Sequence, residues 1–93
     1  GKPACVFTSS GSMHGGQEST LLTMLPPLFH HGMMILGLSN AHSSLSNTKT
    51  GGTPYGASHV SGPRHDQSLS QDERVLCEDQ GKRLGQVVQK LIA

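Results

Sequence analysis

Apolar and polar residues occur in blocks along the chain, and the blocks predict a strand, a helix, a second strand and a terminal helix. Residues 4–8 form a short apolar run that is typical of a buried strand. Residues 17–30 carry leucine and methionine side chains over one broad face, which predicts a helix. The run at residues 33–38 is too short for an independent helix and favours a second strand. This strand–helix–strand spacing predicts parallel strands joined by a right-handed crossover.

Proline and glycine mark the end of the first helix. Pro26 and Pro27 lie inside the helical pattern, where proline removes a hydrogen bond and clashes with the preceding turn. We therefore expect a kink or a tight last turn at these two residues. Gly32 follows at the position of a helix stop.

The terminal helix is predicted over residues 70–93. Ser70 and Glu73 have the spacing of a capping box, which satisfies N–H groups at a helix start. The apolar residues that recur at helical spacing are Cys77, Leu84, Val87, Val88 and Leu91.

A polar stretch, residues 39–67, separates the second strand from the terminal helix. It is rich in Ser, Gly, Asn, His and Pro and shows no period, so we expect a long loop. Its most ordered part is predicted at residues 51–56. Two parallel strands do not make a stable sheet, so we expect further strands upstream in a longer parent protein.

Composition limits the fold and excludes several classes of function. The chain has 93 residues, hence one domain at most, and 33% hydrophobic residues with three aromatic side chains, which predicts a thin core that folds poorly alone. The formal charge is +1 without a basic cluster, which argues against nucleic-acid binding. No apolar run reaches the roughly 20 residues of a membrane span.

The cysteines and histidines predict neither a disulfide framework nor a metal site. Cys5 and Cys77 fall on different predicted elements, and free buried thiols of a reducing compartment are the expectation. His30 and His31 are adjacent rather than four residues apart, and no carboxylate accompanies them. The pair can instead cap carbonyl groups at the helix end. No Ser-His-Asp or Cys-His arrangement identifies a catalytic residue.

A Gly/Ser-rich turn at residues 9–16 joins the first strand to the first helix. Glycine lets a backbone approach a ligand closely, and a helix start presents N–H groups without partners. Such turns bind phosphates and flat cofactors in α/β proteins. The turn has neither the Gly-Lys-Ser/Thr of a Walker motif nor G-x-G-x-x-G spacing. Its spacing alone leaves a ligand loop and an ordinary polar turn both open.

Several short motifs occur in order along the whole chain: GKPA at 1–4, VFTS at 6–9, GGQE at 15–18, HHGM at 30–33, GGTPYGA at 51–57 and GKRL at 81–84. In this combination the chain resembles the WrbA-like NAD(P)H:quinone oxidoreductases, a flavodoxin-like FMN family. The resemblance implies an α/β fold of three layers, α/β/α. Residues 1–93 would form the C-terminal half of one flavodoxin-like domain, the β-α-β-α portion of its parallel sheet.

The resemblance also implies a site and an activity. The family's FMN-contacting segment matches Ser9, Ser10, Gly11, Ser12, Met13, His14 and Gly15, and its FMN-contacting histidine matches His30. The implied enzyme is a cytoplasmic homotetramer that passes a hydride from NAD(P)H to FMN and reduces a quinone in ping-pong order. No side chain is expected to act as a catalytic acid or base. The family's phosphate-binding loop has no counterpart in this chain, so we expect the chain alone not to hold FMN.

Two other functions stay open. A flavodoxin-type electron carrier or a non-enzymatic FMN- or partner-binding protein would share the fold, although a carrier is usually strongly acidic. An inactive fragment is the other alternative. Two departures from the family pattern, the second proline at position 26 and the polar segment 39–44 with Asn40, put assembly in doubt more than chemistry.

Overall fold

The computed structural model describes residues 1–92 and contains three helices and four short strands. In chain order they are β1 (Pro3–Ala4), β2 (Phe7–Ser10), α1 (Gln17–His30), β3 (Met34–Ile35), α2 (Ser43–Asn47), β4 (Ala57–Val60) and α3 (Gln71–Ile92). The predicted terminal helix reached residue 93, which lies outside the described residues.

The first extended segment pairs with two different strands, which is why it is split into β1 and β2. Strand β1 pairs in parallel with β3, and Pro3 lies opposite Met34. Strand β2 pairs in parallel with β4, and Ser10 lies opposite Val60. The predicted strand at residues 4–8 is therefore divided where its partner changes. The parallel strand–helix–strand arrangement is confirmed.

The chain leaves the sheet after β3 and returns to it as β4. The Leu38 N–H donates to the Pro54 carbonyl at 3.0 Å, and this hydrogen bond holds the two ends of the intervening segment together. Gly37 is needed there, because a Cβ atom would lie 2.3 Å from that carbonyl oxygen. The predicted loop at residues 39–67 is thus wrong in part, since it contains α2 and β4. The apolar pattern did not predict strand β4, because the strand buries a polar side chain, Ser58, whose hydroxyl group is hydrogen-bonded.

The two long helices cover opposite faces of the sheet. Successive side chains of a strand point to opposite faces. On β4, Ala57 packs with Leu76 of α3, whereas Ser58 bonds to Gln17 of α1 and His59 to Glu73 of α3. The described part of the chain therefore has the α/β/α layering expected of a partial flavodoxin-like fold.

Helix α1 runs unbroken through Pro26 and Pro27. It ends with the predicted glycine stop: Gly32 has a φ of 71°, its N–H bonds to the Phe29 carbonyl, and the Met33 N–H bonds to the Leu28 carbonyl. This pair of bonds is the Schellman arrangement, which satisfies carbonyls left open at a helix end.

Helix α3 begins with the predicted capping box. The Glu73 N–H donates to Ser70 Oγ at 3.0 Å, and the Ser70 N–H donates to Glu73 Oε1 at 2.8 Å. The buried residues of the helix are Glu73, Leu76 and Gln80, none of which belongs to the apolar set that recurs at helical spacing. Of that set, Leu84 and Val87 are half-buried and the other three are exposed. Polar side chains fill part of the buried face because they bond to strand backbone.

Both cysteines are free thiols, as expected, although Cys5 is half-buried and Cys77 exposed rather than buried. Although the residue is exposed, partial desolvation of its sulfur, together with the nearby charges of Glu73 and Glu78, raises the pKa of the Cys77 thiol. Over residues 1–92, no helix combines the length and apolar character needed to cross a membrane.

Candidate functional site

The candidate site lies where two adjacent parallel strands end. Strand β2 ends at Ser10 and β4 ends at Val60, directly opposite it. The segments 11–16 and 61–70 leave the sheet from these two points. In open parallel sheets, cofactors bind in the crevice beyond the carboxyl ends of the strands. The fold therefore places the Gly/Ser-rich turn at the edge where a ligand is expected.

The turn itself is compact and presents backbone groups. Ser10 Oγ donates to the Ser12 carbonyl at 2.8 Å, and the Gly15 N–H bonds to the same oxygen at 3.2 Å. A Cβ atom on Gly15 would lie 2.9 Å from Ser12 Oγ and 3.1 Å from the Ser12 carbonyl oxygen, so the turn is tightly folded there. Met13 and His14 are exposed at its tip.

The start of α1 has no side-chain cap. Gly16 occupies the capping position with a φ of 94° and offers no acceptor to the first N–H groups of the helix. Those N–H groups and the helix dipole favour an electron-rich ligand atom. Ser19 Oγ turns back to the Gly16 carbonyl at 3.2 Å.

A buried glutamine ties this turn to the rest of the sheet. Gln17 Nε2 donates to the Met13 carbonyl at 2.9 Å, and Gln17 Oε1 accepts from Ser58 Oγ at 2.5 Å. Ser58 Oγ in turn accepts from the Gly52 N–H at 2.7 Å. This relay links the GGQE motif to the GGTPYGA motif. Sequence reasoning missed Gln17 as a functional residue, although its place after two glycines was a signal.

A second loop, at residues 61–67, lies against the turn. Ser61 bonds twice to the Ser10 carbonyl, through its N–H at 2.8 Å and its Oγ at 3.1 Å. His65 Nδ1 is 3.0 Å from Ser61 Oγ. Its ring rests on Gly11, where a Cβ atom would lie 3.0 Å from His65 Cε1. Sequence reasoning missed this contact, since nothing local in the sequence pairs residues 11 and 65.

The second loop is anchored to α3 through a buried carboxylate. Glu73 Oε2 accepts from the N–H groups of Gly51 at 2.9 Å and Val60 at 2.8 Å, and Oε1 accepts from Ser70. His59 Nδ1 lies 3.0 Å from Oε1. Burial opposes ionisation, but the hydrogen bonds from Ser70, Val60, His59 and Gly51 outweigh it and lower the pKa of Glu73 to about 2.

His59 connects that carboxylate to the loop. Its Nε2 is 2.9 Å from the Gln67 carbonyl, while Nδ1 faces Glu73. Both partners are acceptors, so both contacts are hydrogen bonds at once only when both ring nitrogens carry protons. His59 thereby fixes the base of the second loop.

The structure does not bring His30 to the turn. Ser9 to Gly15 precede α1, and His30 is the last residue of the helix. Thirteen helical steps separate Gln17 from His30, an axial distance of about 20 Å. His30 and His31 are exposed at that far end, where imidazoles complement the helix dipole. Within residues 1–92, no three His, Cys, Asp or Glu side chains form a group that could hold a metal ion.

The geometry can be tested against the flavin that the motifs imply. Open helix N–H groups and a glycine-lined surface fit the pyrimidine end of a flavin ring, which becomes negative on reduction. The turn contains no Lys or Arg. The described residues therefore fit an electron-rich edge such as the ring end of FMN, the end that the resemblance assigns to them.

Comparison with known proteins finds relatives along nearly the whole chain. No protein-family model matches the chain. Relatives named NAD(P)H dehydrogenase (quinone) match nearly all of it: that of Methanosarcina barkeri is 45% identical over 99% of the chain and 45% of its own length. The one from Geotalea daltonii is 43% identical over 99% and 46%, and the one from Rhizobium rhizogenes is 41% identical over 100% and 48%. The chain thus spans about half the length of the curated relatives it matches. Over that half, the chain is similar to proteins named NAD(P)H dehydrogenase (quinone), which is consistent with the resemblance of its motifs to the WrbA-like family.

Proposed function

We propose that the chain is the flavin-ring-binding half of a cytoplasmic FMN-dependent NAD(P)H:quinone oxidoreductase. The observation that carries the proposal is the uncapped start of α1 beside a glycine turn, at the carboxyl ends of two parallel strands. The names of the relatives supply the substrates, NAD(P)H and a quinone.

FMN, when bound, supplies the hydride-accepting ring, and the protein positions that ring and stabilises its charge. The residues for this task are Ser9, Ser10, Gly11, Ser12, Met13, His14 and Gly15. Their backbone N–H groups, with those at the start of α1, favour negative charge at the pyrimidine end. Gln17 holds the Met13 carbonyl and so keeps the turn in shape before a ligand arrives.

His30 contacts the same flavin only if a second copy of the chain supplies it, because about 20 Å of helix separate it from its own turn. This distance supports the proposal that the enzyme is a homo-oligomer, a tetramer by resemblance, with sites near subunit contacts.

The phosphate end of FMN needs residues outside this chain. We therefore expect the 93-residue chain alone to show no micromolar FMN binding in a flavin absorbance titration. Micromolar binding would contradict the view that this is half a site.

The activity is tested by joining the chain behind the N-terminal half of the Methanosarcina barkeri relative. We expect the joined protein to bind FMN and to oxidise NAD(P)H only when a quinone is present. Bound FMN without turnover would favour a flavodoxin-type electron carrier, and neither binding nor turnover would favour an inactive fragment. The near-neutral charge of this half argues mildly against the carrier.

A further inference from the structure

We propose that His65 is a further binding residue of the flavin site and accepts a hydrogen bond from the pyrimidine edge of the ring. The inference rests on the proposed function and assigns a role to a residue outside the turn. It starts from the contact between His65 Cε1 and Gly11, the third residue of the candidate FMN segment.

The hydrogen bonds around Ser61 determine which nitrogen of His65 is protonated. The Ser10 carbonyl is only an acceptor, so Ser61 Oγ, 3.1 Å away, uses its hydrogen on that carbonyl. Ser61 Oγ must then accept from His65 Nδ1, at 3.0 Å. Neutral His65 therefore carries its proton on Nδ1 and has an acceptor lone pair on Nε2.

The ring lies with its edge beside Gly11, where a Cβ atom would be 3.0 Å from Cε1 and 3.7 Å from Nδ1. Nε2 is bonded to Cε1 on the side away from Ser61, so it is the ring nitrogen that Ser61 leaves open. Over residues 1–92, Nε2 has no hydrogen-bond partner, and the side chain is exposed. A lone pair beside the glycine turn is thus available to a ligand.

The backbone keeps His65 in place at a cost. Its φ of 56° lies in the left-handed region, which a residue with a Cβ atom adopts rarely. The turn from Gly62 to His65 is closed by a 3.0 Å hydrogen bond, and the Gln67 N–H bonds to Ser61 at 2.9 Å. The loop holds the imidazole over Gly11 even though glycine would suit position 65 better.

The chemistry of the flavin edge matches this arrangement. Its pyrimidine end carries an N–H group between two carbonyl oxygens. The N–H groups of the turn and of the start of α1 can donate to the carbonyls, but the ring N–H needs an acceptor. His65 Nε2 is a side-chain acceptor beside the turn, which leads us to assign it this partner.

The test uses variants that differ in the imidazole but not in the fold. His65→Gly removes the ring and relieves the left-handed backbone, so it should fold at least as well as the wild type. His31→Ala, at the far end of α1, is the matched control. FMN is titrated into ¹⁵N-labelled protein, both the 93-residue chain and the joined protein, while the Gly11–Gly15 amides and the His65 Nε2 resonance are followed.

We expect the turn amides and His65 Nε2 to shift together. His65→Gly should weaken FMN binding about fivefold, the value of one neutral hydrogen bond, and His31→Ala should not. The inference would be overturned if the Nε2 resonance of the wild type did not move and the affinity of His65→Gly for FMN were unchanged. The proposed flavin site would then still stand. If neither protein shows shifted turn amides, the proposed flavin site fails, and the role of His65 with it.

Discussion

The two halves of α3 contrast in how they are held. In its first half, Glu73, Leu76 and Gln80 are 1%, 0% and 5% exposed. In its second half, Leu91 and Ile92 are 54% and 79% exposed. The same helix is thus embedded at one end and bare at the other.

Polar contacts account for the embedded half. Gln80 Oε1 accepts from the Ala57 N–H at 2.7 Å, and Gln80 Nε2 donates to the Val6 carbonyl at 2.9 Å. Glu73 Oε2 accepts from the N–H groups of Gly51 and Val60. These side chains bond to backbone groups in β4 and in the segments beside the strands. The bare half instead borders an apolar groove of about 500 Å³, lined by residues that include Pro3, Val88, Leu91 and Ile92.

The contrast shows that the buried first half of α3 both stabilises the fold and supports the candidate site. Glu73 anchors the strand end and the loop that carries His65, so the candidate site rests on α3 near its start. The predictions below separate the two halves, from the largest expected effect to the smallest.

Glu73→Gln should destabilise the fold by about 4 kcal/mol, because an amide keeps only one acceptor oxygen and its NH2 group would face N–H donors that now bond to the second carboxylate oxygen. Urea denaturation followed by circular dichroism measures the loss. Glu78→Gln, exposed on the same helix, is the control. Equal losses in the two variants would show that the converging bonds contribute nothing special.

Leu76→Ala should cost about 3 kcal/mol, because it opens a cavity in the cluster with Leu38 and Ala57. Leu91→Ala should change the free energy of unfolding by less than about 0.5 kcal/mol, since its side chain is largely in solvent. The same denaturation curves give both values. A large effect at Leu91 would mean that the bare half is packed in solution.

Acid should destabilise the wild type through Glu73. Its folded pKa of about 2 lies below the ordinary 4.5, so its ionised form stabilises the fold above about pH 4.5 and this contribution is lost as the pH falls toward 2. The shift corresponds to about 3 kcal/mol. Unfolding free energies measured between pH 5 and pH 2 should fall more steeply for the wild type than for Glu73→Gln. Parallel curves would count against a depressed pKa.

Gly85→Ala should stabilise the chain by about 0.7 kcal/mol, because a Cβ atom there meets nothing within 4 Å and alanine favours the helix. The exposed half of α3 thus has space for an added side chain at this position. At Gly51, by contrast, a Cβ atom would lie 2.0 Å from the Ser58 carbonyl oxygen. A thermal melt of Gly85→Ala that shows no gain would contradict the expectation that this position is open and limited by helix propensity.

Local patterns in the sequence determined the two long helices, α1 and α3, and most of their ends, but not the short helix α2. The period of residues 17–30, the glycine at 32 and the Ser70–Glu73 box describe interactions within a few residues, and the structure has them all. The resemblance likewise rests on short motifs. What these patterns left out was any contact between distant segments.

Only the tertiary structure decided the rest. Strand β4 is apolar only in part, and its burial depends on Gln17, 41 residues away. The buried face of α3 is set by strand backbone that needs Glu73 and Gln80, not by apolar spacing. The structure also separated His30 from the turn by the length of α1 and put His65 against Gly11. Local energetics fix elements, whereas a site forms where the sheet brings distant segments to one edge.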